Sequence, residues 1–150
     1  MRRIYESVKF KGARGETLIK SLINTGADIS LIPLKIARQI GAWRTNQTTN
    51  VKGIHGQSKV LPLCVVDIFF PSLNNIGGRF GVVVSDTEDT PIIGMDILKL
   101  LGITIDTKLN RLYVKNEIWE AFKTLAGVGL LIYGGLKLLE TISEEERNYG

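Results

Sequence analysis

Two short stretches concentrate the residue types that could do chemistry. The first is Leu22-Ile23-Asn24-Thr25-Gly26-Ala27-Asp28-Ile29-Ser30-Leu31-Ile32-Pro33, an apolar lead into a small-residue polar turn and out into a second apolar run. Asn24 carries an amide that hydrogen-bonds water without taking its proton, and the Thr25 hydroxyl can donate to one group while accepting from another. Gly26 has no side chain, so a second backbone or a ligand can approach closely, and Ala27 keeps the neighbouring wall small. The second stretch is Ile92-Ile93-Gly94-Met95-Asp96-Ile97-Leu98, an apolar pair followed by glycine and an acidic residue. Between them, Val51-Lys52-Gly53-Ile54-His55-Gly56-Gln57 sets two glycines in one short loop, which taken alone describes an ordinary hairpin turn.

The remaining reactive residue types narrow the field. His55 is the sole histidine and Cys64 the sole cysteine, so no pair stands at ligand spacing and no metal site is expected. His55 alone reads as an exposed loop residue. Asp28, Asp86, Asp89 and Asp96 do not follow the Asp-x-Asp-x-Asp-Gly calcium pattern. Cys64 lies in an apolar run, Val60-Leu61-Pro62-Leu63-Cys64-Val65-Val66, and reads as a buried structural thiol with no intrachain partner. The formal net charge of +4 comes from scattered basic residues, so a solvated basic surface is expected and no nucleic-acid partner. No cationic start with a hydrophobic core follows Met1, so no secretory signal is expected and a cytoplasmic location is, with the C-terminal segment as a candidate membrane attachment. No cofactor is implied.

Short strands must carry these loops. Runs at 5–10 and 18–23 flank Gly12-Ala13-Arg14-Gly15, a hairpin signal that delivers Asn24 at a strand end. Residues 33–40 read as a helix with Pro33 in its first turn and Gly41 as its stop. Runs at 60–70 and 79–84 read as strands around Pro71-Ser72-Leu73-Asn74-Asn75. Residues 95–101 form a brief helix closed by Gly102, and runs at 103–105 and 112–114 bracket a polar turn at 107–110. Many short strands with two small helices indicate a mainly β, closed barrel-like fold and not a βαβ sheet.

The order and spacing of the two motifs and the glycine loop resemble the retropepsins, aspartic proteases in which each subunit of a homodimer supplies one Asp-Thr/Ser-Gly-Ala loop. The resemblance covers residues 3–115 and leans toward the cellular branch of DNA-damage-inducible ubiquitin-shuttle proteases and single-domain prokaryotic relatives. It implies a closed acid-protease barrel, a homodimer, and a peptide or protein substrate. It places Asn24 at the catalytic aspartate's position, Thr25 as a brace between the two loops, and Gly26 beside them. Ala27, Asp28, Ile29, Ile32, Gly53, Ile54, His55, Gly56, Pro91 and Ile92 would meet the substrate, with Gly53 to Gly56 in the covering flap. Ile93, Gly94 and Asp96 would form the supporting second motif.

Asn24 breaks that chemistry. The reaction needs two carboxylates close enough to share one proton, with the ionised one activating a water and the protonated one polarising the substrate carbonyl. One loop per chain places the site on a two-fold axis. With amides at both positions, the loss of acid–base action alone costs roughly 100- to 10,000-fold. Either the aspartate was substituted to silence the enzyme, or the chain is a non-catalytic pseudoprotease, a dimeric peptide-binding or membrane interaction module that keeps the cleft; the intact remainder of the loop favours substitution. With aspartate at this position, acidic to mildly acidic activity is expected.

Beyond the domain at residues 1–116, residues 117–150 form an apolar extension. Leu125-Ala126-Gly127-Val128-Gly129-Leu130-Leu131-Ile132-Tyr133-Gly134-Gly135-Leu136 is uncharged between Lys123 and Lys137. A membrane helix needs about 20 predominantly apolar residues, and residues 119–142 reach that length when Lys123, Lys137 and Glu140 extend outward. A C-terminal membrane anchor, an apolar helix packed on the domain or its twin, and an interfacial helix all fit this segment.

Overall fold

Gly12 and Gly15 close a tight turn, the Gly12 N–H donating to the Gly15 carbonyl at 2.9 Å, and so join β1 (Ile4–Lys11) to β2 (Glu16–Ile23) in an antiparallel hairpin. The structure is a computed structural model that describes residues 3–52, 56–114 and 149. After β2 come β3 (Leu31–Pro33), α1 (Leu34–Ile40), β4 (Trp43–Lys52), β5 (Ser58–Phe70), a 3-10 turn at Pro71–Leu73, β6 (Ile76–Ser85), β7 (Ile92–Ile93), α2 (Met95–Leu101), β8 (Ile103–Asp106) and β9 (Arg111–Val114). The domain is mainly β. The expected C-terminal helix at 117–150 falls, but for residue 149, outside the described residues, and among those described no helix is long and apolar enough to cross a membrane.

Seven strands hydrogen-bond in the order β1-β2-β7-β3-β6-β5-β4. A further pairing sets Lys9, Phe10 and Lys11 of β1 against Phe69, Ile68 and Asp67 of β5, so the succession of strands returns to its first member. β5 can serve two neighbours on one edge because it is 13 residues long: its first half pairs with β4 and its last residues with β1. β8 and β9 form a separate two-stranded hairpin across the turn at 107–110, where the Asp106 carboxylate accepts from the Lys108 and Leu109 N–H groups.

The two-residue period of a strand sorts the core. On β5, Cys64, Val66, Ile68 and Phe70 point into a main core with Phe10, Phe80, Val82, Ile93, Ile97 and Leu101. The opposite face places Leu61 and Leu63 with Val83 in a small second cluster, against Ile29, Leu31 and Val51. Each fully buried Phe, Ile or Leu contributes about 1.5–3 kcal/mol, so the main core dominates stability and the small cluster mainly seats the start of β3 and the outer end of β4. Farther along that opposite face Asp67 accepts a two-pronged bond from Arg79, at 2.8 and 3.2 Å, and the guanidinium lies 4.4 Å over the Trp43 ring, fastening the near end of β4.

β4 and the short β3 and β7 were not expected as strands. β4 reads Trp-Arg-Thr-Asn-Gln-Thr-Thr-Asn-Val-Lys, with exposed and half-buried residues alternating along its whole length; it lacks an apolar stripe and is held by its pairing with β5. Pro33 also differs from expectation: it closes β3 at the cap position, and the helix starts at Leu34. Gly41 ends α1 in the left-handed conformation, φ 66°, where a side chain would be strained, and its carbonyl accepts from Ala13 N–H, docking the β1–β2 turn.

Candidate functional site

The Asn24 loop is held by a strand inserted beside it. β7 pairs in parallel with the end of β2, Leu22 opposite Ile92 and Ile23 opposite Ile93, and antiparallel with β3 on its other side. The Leu22 N–H donates to the Pro91 carbonyl and the Asn24 N–H to the Ile93 carbonyl, each at 2.9 Å. The chain then turns on itself: Gly26 N–H donates to Asn24 Oδ1 at 2.9 Å, and Ala27 N–H to the Asn24 carbonyl at 3.1 Å. This side-chain-closed turn is one that Asn and Asp both form. Because the donor is a backbone N–H, Oδ1 and not the amide nitrogen faces Gly26.

Ser30 and Asp96, 66 residues apart in sequence, clasp the loop to α2. Ser30 is fully buried. Its Oγ donates to Asp96 Oδ1 at 2.6 Å and accepts from Gly94 N–H at 2.8 Å, while its own N–H donates to Asp96 Oδ2 at 3.0 Å. Asp96 Oδ1 also accepts from Ile97 N–H at 2.9 Å, in the first turn of α2, where a negative charge is favoured. The Ala27 carbonyl accepts from Met95 N–H at 2.8 Å. A side chain on Gly94 would stand 2.7 Å from the Ala27 oxygen and 3.0 Å from the Ile29 carbonyl, so the two motifs interlock backbone against backbone.

The residues expected at the site separate clearly. Thr25, Gly26 and Asp28 are exposed, while Asn24, Ala27, Ile29, Ile92 and Asp96 are half-buried. Pro91, Ile93 and Gly94 are buried. Ile32 departs from the apolar-subsite expectation: it is fully buried in the main core, because strand alternation turns it opposite to Leu31, which packs on the second cluster with Ile29. Gly56 sits at φ 76° beyond the outer end of the β4–β5 hairpin, whereas Gly53, Ile54 and His55 lie outside the described residues.

Two hollows flank Thr25. One, of about 550 Å³, is bordered by Arg3, Ile4, Leu22, Asn24, Ile105 and Thr107, and the other, of about 310 Å³, by Met95, Leu98, Lys99 and Thr104. Ser30, Arg3 and Ile105 border this loop without being among the residues the sequence marks for it. A lone hydroxyl within Ile29-Ser30-Leu31-Ile32 was the available signal for Ser30; nothing local marked the other two. Cys64 is fully buried, and burial pushes its thiol far above the ordinary range, so it is no nucleophile. Within one chain the loop presents an amide that orients a water or a carbonyl and moves no proton.

Among solved structures, the chain is similar to the EIAV protease complexed with the inhibitor HBY-793, with 25% identity over 70% of this chain and 93% of that one at a TM-score of 0.52. It is similar also to the retroviral protease-like domain of Ddi1 from Leishmania major, with 20% identity over 77% of this chain and 90% of that one at the same TM-score. No protein-family model matches the sequence, and no curated protein matches it. The fold is retropepsin-like, a protease-type fold.

Proposed function

We propose, from this retropepsin-like fold, that the chain is one half of a homodimeric aspartic endopeptidase silenced at Asn24. The observation that carries the reading is the turn at Asn24, whose Oδ1 accepts from Gly26 N–H inside a loop locked by Ser30, Gly94 and Asp96. A carboxylate oxygen accepts the same bond, so the loop suits aspartate without rearrangement.

With aspartate there, two chains facing each other across a two-fold axis bring two carboxylates together. Like charges at that range hold one proton between them. The ionised member takes a proton from the attacking water; the protonated member donates to the carbonyl oxygen of the scissile peptide. Thr25, exposed beside Asn24, braces one loop against its twin, and Ala27 and Asp28 border an extended peptide. Ile29 and Ile92 line the apolar walls behind it, and Pro91 backs them from a buried position. The β4–β5 hairpin is the element that closes over the peptide, and Gly53, Ile54, His55 and Gly56, which follow β4 in the sequence, are the residues assigned to that contact. Residues 1–116 are the working domain, residues 117–150 an extension, and the cytoplasm the place of action. Asn24 itself favours a second reading, a dimeric pseudoprotease that binds peptides without cutting them.

A paired peptidase assay of this chain and its Asn24→Asp variant, across acidic to neutral pH with a pepstatin-type inhibitor, separates these. Cleavage by the variant alone supports the endopeptidase; silence from both, with peptide binding kept, supports the pseudoprotease. Dimer dissociation gives an independent check. In the variant the two carboxylates repel once both ionise, so its dimer weakens as pH rises through the carboxylate range, while the Asn24 dimer does not. Equal pH dependence of the two refutes the facing-loop arrangement.

A further inference from the structure

Tyr149 belongs to the main core although 34 residues, 115–148, separate it from the end of β9. It is 8% exposed. Its N–H donates to the Ala42 carbonyl at 2.8 Å, and the Arg44 guanidinium lies 5.0 Å over its ring. Arg44 and Cys64 are directly paired across β4 and β5, so both project from the same sheet face, and the Tyr149 ring rests on that face beside the fully buried Cys64. Backbone pairing, cation–ring stacking and apolar burial therefore converge on one side chain. The phenol is held above its ordinary range by burial first and by the neighbouring thiol second, with the Arg44 guanidinium opposing both.

We propose that the notch formed by Ala42, Arg44 and Cys64 is a docking site for the chain's own Tyr149, which caps this end of the core and ties the far end of the extension back to the domain. The occupant is specified by chemistry. An aliphatic side chain would give the Arg44 guanidinium no ring face to stack on. Docking has a topological consequence: Val114 and Tyr149 are held on one domain, whereas a single membrane crossing by residues 119–142 would place them on opposite sides of the bilayer. The docked state and a one-pass anchor exclude each other.

Cys64, the sole cysteine, reports on the notch. The full chain and its Tyr149→Ala, Tyr149→Phe and Gly94→Ala variants are treated with the thiol reagent DTNB under native conditions, well below their measured unfolding midpoints. Tyr149→Ala is expected to speed Cys64 modification by about tenfold or more through local opening, while Tyr149→Phe stays within about threefold of the unaltered chain because the ring remains. Gly94→Ala, altered away from the notch, gives the contribution of global unfolding. A Tyr149→Ala rate equal to that of the unaltered chain, or no higher than that of Gly94→Ala, overturns the proposal. If Tyr149→Ala does not fold, hydrogen exchange on the unaltered chain decides: slowed exchange at the Tyr149 amide supports docking, and exchange at the rate of an unstructured peptide overturns it.

Discussion

Replacing Gly94 by alanine tests the interlock that supports the Asn24 loop. The backbone there, φ −101° and ψ −173°, is open to any residue, so a Gly94→Ala cost comes from contact and not from strain. The new methyl would lie 2.7 Å from the Ala27 oxygen and 3.0 Å from the Ile29 carbonyl carbon and oxygen, and backbone atoms cannot rotate away as side-chain ends do. Relief requires residues 27–29 to shift from α2, which stretches the Met95-to-Ala27 and Gly94-to-Ser30 bonds, both 2.8 Å. Overpacking costs about 1–3 kcal/mol, and weakening a hydrogen bond adds about 0.5–1.5 kcal/mol. The expected loss is about 2–4 kcal/mol, a fall of roughly 1–2 M in the urea midpoint if the slope is about 2 kcal/mol per M. Gly15→Ala is the matched control: a methyl there meets nothing within 4 Å, so stability should hold or rise by about 0.4–1 kcal/mol. Urea unfolding followed by tryptophan fluorescence measures both. A Gly94→Ala midpoint matching that of the unaltered chain, at an unchanged slope, would refute the argument and make the interlock compliant.

Ser30→Ala should cost about 1–3 kcal/mol in the same assay, since it leaves the buried Gly94 N–H without its acceptor, and Ser30→Thr, which keeps the hydroxyl, should lose less. Alkaline pH should destabilise the fold. Burial raises both the Cys64 thiol and the Tyr149 phenol above their unfolded values of 9.0 and 10.0, so the native state holds these protons more tightly. That stability is complete below pH 9 and is lost as pH climbs past the unfolded values. Urea midpoints measured against pH should therefore decline above pH 9, and more shallowly in Cys64→Ala; a parallel decline would remove the thiol from the explanation. The Asn24→Asp variant should gain peptidase activity at acidic pH, as measured by the paired assay.

What could be read from the chain alone was local. The hairpin at Gly12-Ala13-Arg14-Gly15, the helix stops at Gly41 and Gly102 and the strand ending at Asn24 rest on turn chemistry and two-residue alternation, which a few adjacent residues specify. The two motifs were legible for the same reason, each being a short run of unusual residue types. Tertiary structure decided whatever depends on a partner far along the chain. β4 is a strand because β5 offers it an edge, although its residues between Trp43 and Val51 are all polar. Ile32 points into the main core because the pairing of β3 with β6 and β7 sets that face of the strand against it, while Leu31 takes the opposite face. Ser30 matters because Asp96 arrives beside it, and Tyr149 because the chain returns to Ala42. Hydrogen bonds and burial act over a few ångströms of space with no regard for sequence separation, so such roles exist only once the chain has folded.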